Sequence, residues 1–358
     1  LSRKSKMLTR TDELQSVTGP ATTKVTVAFS DGVEHELAVE AGCSVLDTAL
    51  EAGLPLLYQC RSGSCSSCIA TLVEGEAETL PGAASSLLAS ERAEGHRLLC
   101  VTGARSACRF ALPYDSKVGE NRAVEGHAFI NALERVAADV IRLELELAEG
   151  SWIDFRPGQF IQVKVPGTGQ TRRYSISTTP AQLPMIELLV RLLPGGVMSE
   201  YLLTRAALDE VLEISGPYGA FFLKEGVKAP HVMIAGGTGL APLMAMIDTI
   251  RSKPGRKPPI LLSFGCQTGE GLFHREAIEL REHWLPNLAV QLSVDRGPAP
   301  DGVRVGNPVE EVGMGGPLDP ETVAYLCGPP GMIEAARAHL QALGLSPDNI
   351  HSEQFVAS

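Results

Sequence analysis

Three rhythms of apolar and polar residues succeed one another along the chain. In the first, residues 24–29 (KVTVAF) alternate as a strand does, 30–32 (SDG) turn, and 36–39 return as a hairpin arm. Ser44 stands where it can cap a helix with apolar positions Val45, Leu46, Ala49 and Leu50, ended by Gly53. A strand is predicted at 69–73, a helical patch at 86–94 and a strand near 107–112. Residues 115–127 are polar with glycines and read as a linker or domain edge. The second rhythm begins at Phe129, with short strands at 129–134, 140–147, 159–165, 173–177, 186–192 and 213–215. Gly/Pro turns separate them and a single short helix fits, at 199–204, which predicts an antiparallel β-barrel. The third begins at His231, where strands at 232–235, 260–264, 290–294 and 324–327 alternate with helices at 240–250, 273–282 and 332–343. Strands that are apolar throughout and alternate with helices predict an open parallel α/β sheet. The fold class is therefore multidomain, with an α+β unit at 22–114, a barrel at 124–224 and an α/β unit at 228–358.

A length of 358 residues suits two or three cores. The composition, 44% hydrophobic and 20% charged, is that of an ordinary globular chain and excludes disordered, collagen-like or coiled-coil classes. A formal charge of -11 supplies no basic face for nucleic acid. No run of eighteen apolar residues predicts a membrane span, and the polar first twenty residues lack the apolar core of a secretory signal. A cytoplasmic, reducing location is expected, so the eight cysteines are not read as a disulfide framework.

Three of those cysteines, Cys60, Cys65 and Cys68, share the stretch CRSGSCSSC, and Cys100 follows after 31 residues. C-x4-C-x2-C followed by a distant fourth cysteine is the plant-type arrangement for a [2Fe–2S] cluster. Four thiolates must surround two bridged irons, so the loop carrying three of them has to curl tightly. Gly63 and the small Ser62, Ser64, Ser66 and Ser67 permit the curl and leave N–H groups free to face sulfur. The competing reading is a zinc knot, which usually pairs two short knuckles, whereas here three cysteines sit in one loop and the fourth stands apart. Cys43 and Cys108 are read as small buried side chains. With the strand pattern around the cysteines, residues 22–114 resemble a β-grasp plant-type ferredoxin domain.

In the barrel, Arg172, Tyr174 and Ser175 lie on one strand, with Arg172 and Tyr174 on the same face. A flavin nucleotide asks for a cation at phosphate, an aromatic ring against its own, and a small donor near N5. Glycines at 195 and 196 precede the short helix, whose N-terminus suits phosphate, and 216–219 (GPYG) form another tight turn. Taken alone, the Arg–Tyr pair could equally be a structural cation–aromatic contact. Together these segments resemble the ferredoxin–NADP reductase superfamily. The resemblance implies that Arg172 contacts the flavin pyrophosphate, Tyr174 packs on the isoalloxazine and Ser175 lies near N5. It also implies pyrophosphate contacts from Gly196, Met198 and Ser199. A ferredoxin domain placed first favours FAD over FMN.

In the α/β unit, 236–239 (GGTG) follow a strand and open a helix, with Pro242 in its first turn. The run is not a standard GxGxxG fingerprint. As part of the same resemblance, GGTGxAP and CGPPxM are the pyridine-nucleotide segments, here Gly237, Thr238, Gly239, Pro242 and Cys327, Gly328, Pro329, Met332. Cys327 is implied near the nicotinamide C4, with the alternative of a buried thiol at a strand end. Glu353 and Phe355 are implied beside flavin and nicotinamide. Asp295 would accept ribose hydroxyls and repel a 2′-phosphate, while the adjacent Arg296 could serve one; the balance favours NADH.

NADH yields an electron pair, a [2Fe–2S] cluster passes single electrons, and a flavin converts one into the other. No Ser/His or His/Asp arrangement stands out, and none is needed. From about residue 22 to 355 the chain resembles the NADH-dependent reductase components of bacterial multicomponent oxygenases, of the ring-hydroxylating dioxygenase and di-iron monooxygenase kinds. The path implied is NADH to FAD to cluster, and from the cluster to a terminal oxygenase or its small ferredoxin, from a monomer. A reductase serving a deoxysugar-biosynthesis dehydratase and a stand-alone diaphorase share these motifs. A redox-sensing module would require loss of motif residues that are all present.

Overall fold

The computed structural model describes residues 21–314 and 318–355. The polar first twenty residues, read as lacking a secretory signal, lie outside the described residues. Among the described residues three large sheets, one to each unit, follow the order predicted from the sequence, with a small two-stranded sheet beside the first; the first two units have one apolar core each and the third has two.

The first unit contains β1 (Thr22–Ala28), β2 (Glu34–Glu40), α1 (Val45–Glu51), β3 (Ile69–Glu74), β4 (Ala77–Thr79) and α2 (Ala89–Ala93). It continues through β5 (His96–Leu98), β6 (Thr102–Ala104), β7 (Cys108–Ala111) and α3 (Ser116–Glu120). The main sheet has the order β2-β1-β7-β3-β5, with β1 and β7 parallel. Ser44 caps α1 as predicted, its hydroxyl accepting from the Asp47 N–H at 3.0 Å. Alternate residues of the strands and one face of α1 (Val45, Leu46, Ala49) fill the core. One expectation fails here. Cys43 is exposed, because it occupies the turn between β2 and α1 and not a core-facing position. Residues 115–127, read as a linker or domain edge, are the edge between the first two units. They form α3 and the start of the next strand, and a Cβ on Gly119 would lie 1.5 Å from the Pro55 carbonyl oxygen.

The second unit is built from β8 (Val124–Ala137), β9 (Val140–Leu147), β10 (Phe160–Lys164), β11 (Thr171–Ser175), β12 (Met185–Arg191), α4 (Val197–Thr204) and β13 (Val211–Tyr218). Its antiparallel order is β11-β10-β13-β8-β9-β12, and a bridge from Ile176 to Leu188 joins the two ends into a barrel. That bridge explains why β11 stops at Ser175, two residues before the predicted end: the chain there leaves β10 for β12. The tight turn predicted at 216–219 is shorter, since β13 runs on through Tyr218 and the turn falls at Gly219.

The third unit comprises β14 (His231–Gly236), α5 (Leu240–Ser252), β15 (Ile260–Cys266), α6 (Arg275–Trp284) and β16 (Leu288–Val294). β17 (Arg304–Val305), β18 (Val323–Gly328), α7 (Pro330–Ala342) and β19 (Ile350–Gln354) complete it. All five strand pairs are parallel, in the order β17-β16-β15-β14-β18-β19. α6 starts later than predicted because His274 takes a left-handed conformation at its N-cap. The C-terminal residues, read as a tail, form β19, in register with β18 so that Glu353 lies opposite Cys327. The chain reverses direction across the sheet between β14 and β18, and such switch points open a crevice at the strand ends.

Candidate functional site

The cluster loop runs from Cys60 to Cys68 and returns to Cys100 in the turn after β5. Gly63 has a φ of +76°, and a Cβ there would come within 2.1 Å of the Ala84 carbonyl oxygen. Arg61 and Ser66 also take positive φ, so the loop curls as its small residues predicted. N–H groups of Ser62 and Ser64 donate to Cys60 Sγ at 3.4 and 3.3 Å, and the Cys60 N–H to Cys65 Sγ at 3.4 Å. Among the described residues no three histidine, cysteine or carboxylate side chains group as ligands of one ion. The thiols pair two and two, Cys60 with Cys65 and Cys68 with Cys100. The four cysteines of this loop and its return would serve as thiolate ligands of a [2Fe–2S] cluster, which would pass single electrons. The Cys60 thiol is brought down to about 3, first by the Cys65 thiol and then by Ser62 and Ser64, while Cys100 is lowered by Cys68. Cys65 and Cys68 are raised by the same pairings and by burial.

All three units meet around one cavity of about 880 Å³. β11 contributes Arg172, Arg173, Tyr174 and Ser175, and the start of α4 contributes its N-cap Gly196 with Met198 and Ser199 of the first turn. The crevice end of the parallel sheet contributes Gly236, Gly237, Thr238, Asp295, Pro329 and Met332, and the end of the chain contributes Glu353 and Phe355. Ser64, Cys65, Ser66 and Ser86 of the first unit close one wall. The cavity fits a flavin nucleotide chemically as well as by volume. Among the described residues Arg172 donates to two neutral oxygens, Thr171 O and Gln170 Oε1, both at 2.9 Å, and its charge would suit a phosphate. Ser199 Oγ accepts from the Leu193 N–H at 2.8 Å, bracing the glycine loop with its own O–H left to donate. Burial raises the Tyr174 hydroxyl, keeping it neutral.

Glycines at the switch point are required by close approach. A Cβ on Gly239 would lie 2.1 Å from the Cys327 carbonyl oxygen, and one on Gly236 2.7 Å from Met332 Sδ. Gly239, Pro242 and Gly328 are thus packed into the junction of β14, β18 and α5 and do not line the cavity. Cys327 is fully buried behind the lining, its thiol raised well above the usual value by burial and then by Glu353. Ser175 Oγ donates to Glu353 Oε2 at 3.1 Å, although 178 residues separate them. Burial pushes the Glu353 carboxyl up to about 8, against the opposing effects of the Ser175 hydrogen bond and the Arg173 charge.

Several cavity residues carry no signal in the motifs. Arg173 also reaches the Ser64 carbonyl oxygen from Nη1 at 3.3 Å, and Ser86 and Cys266 line the wall. Cys266 was recoverable in principle, since it ends a parallel strand beside Gly236.

Comparison with known proteins divides the chain in the same way. Residues 28–105 match the 2Fe-2S iron-sulfur cluster binding domain, 127–223 the oxidoreductase FAD-binding domain and 233–338 the oxidoreductase NAD-binding domain. The chain is 33% identical to the toluate 1,2-dioxygenase electron transfer component of Pseudomonas putida, over 94% of its own length and 99% of the relative's. It is 31% identical to the propane 2-monooxygenase reductase component of Rhodococcus jostii (strain RHA1), over 91% and 90%. A crystal structure of an Amycolatopsis cytochrome P450 reductase superposes with a TM-score of 0.67 at 29% identity, covering 93% of this chain and 99% of that one.

Proposed function

Because this chain belongs to the iron–sulfur flavoprotein reductases that serve as electron-transfer components of bacterial oxygenases, we propose that it takes electrons from NADH and delivers them singly to a terminal oxygenase or its small ferredoxin. The cofactors are a [2Fe–2S] cluster and FAD. When bound, the flavin accepts an electron pair as hydride and the cluster carries electrons one at a time, the chemistry that joins a two-electron donor to a one-electron acceptor.

One observation carries the reading. Residues of the cluster loop (Ser64, Cys65, Ser66), of the flavin strand (Arg172, Tyr174, Ser175) and of the nicotinamide crevice (Pro329, Met332, Glu353, Phe355) line the same cavity. The chain's own work is to bind and orient. Arg172 and the α4 N-terminus hold phosphate, Tyr174 offers a ring face, and Ser175 holds its proton at the Glu353 carboxyl. The thiolates of Cys60, Cys65, Cys68 and Cys100 would hold the cluster. Gly237 and Thr238 line the crevice where the nicotinamide nucleotide docks, while Gly239, Pro242 and Gly328 shape it from behind. Cys327 supports that floor next to Glu353.

The NADH preference is supported by Asp295, whose carboxylate lines the cavity beyond β16. The neighbouring Arg296 donates to Gln267 Oε1 at 3.4 Å. Carboxylate at this position accepts ribose hydroxyls and repels a 2′-phosphate. All the site residues come from one chain, which supports action as a monomer. Four cysteines kept for a cluster and not for disulfides support a cytoplasmic place of work. Among the described residues no helix is long and apolar enough to cross a membrane.

The test is anaerobic purification followed by the visible spectrum, iron and sulfide assay, and chromatography of the released flavin. FAD with equal iron and sulfide is expected, as is a kcat/KM for NADH well above that for NADPH. Zinc in place of iron, or no flavin, would defeat the proposal.

A further inference from the structure

The segment from Ser86 to Glu94, which includes α2, grips two parts of the molecule at once. Toward the cluster, Ser86 N–H donates to the Gly63 carbonyl oxygen at 2.8 Å, and its hydroxyl lies 3.4 Å from Ser66 Oγ. Toward the nicotinamide unit, the contacts are polar and dense. Arg337 on α7 pairs with Glu94, and Gln341 donates to the same carboxylate at 2.6 Å. Ser90 donates through its N–H and hydroxyl to Glu334 at 3.2 and 2.8 Å. From β19, Ser352 donates to Glu91 at 2.8 Å, and Gln354 donates to Glu91 and to the Ser86 carbonyl oxygen.

One ion pair and several polar contacts cross this domain boundary largely out of water. Arg337 is 1% exposed and the side chain of its partner Glu94 15%, and the buried Glu91 accepts from the neutral Ser352 and Gln354. Desolvation makes such pairs poor adhesives, but geometry has to be right for them to form, so they fix orientation. Helix α7 begins at Pro330, directly after the nicotinamide segment, and β19 carries Glu353. The same two elements that build the nicotinamide crevice therefore hold the segment that holds the cluster loop.

We infer that Arg337, Glu94 and Glu91 form a latch that keeps the cluster loop in place as a wall of the flavin cavity. They are positioning residues for passage of electrons from flavin to cluster, and they have no part in hydride uptake. This rests on the electron path proposed above. Arg173, donating to Ser64 O, is a second and weaker tether from the flavin strand.

The experiment uses the full-length holoprotein with Arg337→Met and, separately, Glu94→Gln. One NADH supplies electrons to two ferric acceptors and releases a proton, whichever acceptor is used. Ferricyanide can draw electrons from the flavin directly, whereas cytochrome c requires the cluster. Ferricyanide reduction should stay within about twofold of the unaltered protein while cytochrome c reduction falls about tenfold or more, since a misplacement of about 1 Å can slow a positioned reaction by about a hundredfold. Amide hydrogen exchange supplies a readout independent of activity. Exchange should accelerate in 86–98 and 350–354 and stay unchanged in β14. If Arg337→Met does not fold, Glu94→Gln answers alone, since it leaves the nicotinamide unit's sequence untouched. Cytochrome c reduction that survives with exchange accelerated would overturn the latch, as would an equal fall in both reactions with flavin and iron retained. Failure of the underlying electron path looks different: the unaltered protein would then reduce cytochrome c no faster than a Cys65→Ser variant.

Discussion

Glu353 is half-buried in the cavity wall, and loss of water around its carboxyl raises its proton affinity from an ordinary 4.5 to about 8. Folding therefore takes up a proton at Glu353 between those two values. The stability associated with the group is complete below about pH 4.5 and is lost as pH rises through about 8. Glu353→Gln cannot ionise, so its melting temperature should fall less steeply than that of the unaltered protein between about pH 5 and 9. Calorimetry at matched flavin content measures this, and equal slopes would refute the assignment. Arg172 lines the same cavity, three residues before Ser175 on β11. Hydrogen bonds to charged groups contribute about 1.5–3 kcal/mol, so Arg172→Ala should weaken flavin affinity by about tenfold or more. Full flavin retention on dialysis would remove Arg172 from the phosphate site. Both residues were read from motifs, but their pairing partners were not. The Ser175–Glu353 hydrogen bond spans two domains, and no local spacing encodes it.

Turns and strand ends set the geometry at the level of elements. The loop from β14 into α5 passes so close to β18 that only glycine fits at position 239. Gly239→Ala should cost about 1–3 kcal/mol through overpacking and loosen β14 from β18. A lowered melting temperature with weakened NADH binding, followed by thermal denaturation and titration, is the expected result. In the cluster loop, Gly63→Ala meets both a positive φ and a backbone oxygen. Low iron and sulfide content in otherwise folded protein is expected, and a full cluster would show that the loop can yield. Hydrophobic rhythm predicted most strands and helices to within a few residues, because period-2 and period-3.6 patterns are local. It missed β19, whose residues Ile350–Gln354 (IHSEQ) are mostly polar. That strand exists because β18 offers an edge and α7 covers it, and neither fact is local.

Across the whole molecule, the arrangement predicts that the two halves of the electron path separate. Cys65→Ser should remove the cluster, abolishing cytochrome c reduction while leaving NADH-dependent ferricyanide reduction near its original rate. Equal loss of both would refute a flavin that works upstream of the cluster. The sequence by itself determined the cysteine set, the flavin strand, the glycine-rich nicotinamide segments and the order of three domains. Each of these is a short-range requirement: ligand spacing, strand alternation, or a backbone that must approach a phosphate. Only the tertiary structure decided that these segments share one cavity, that Glu353 meets Ser175, and that Arg337 reaches Glu94 across 243 residues. Such contacts come from how finished domains pack. Their polar partners are chosen by position in space, and burial, not sequence distance, sets what each charge does.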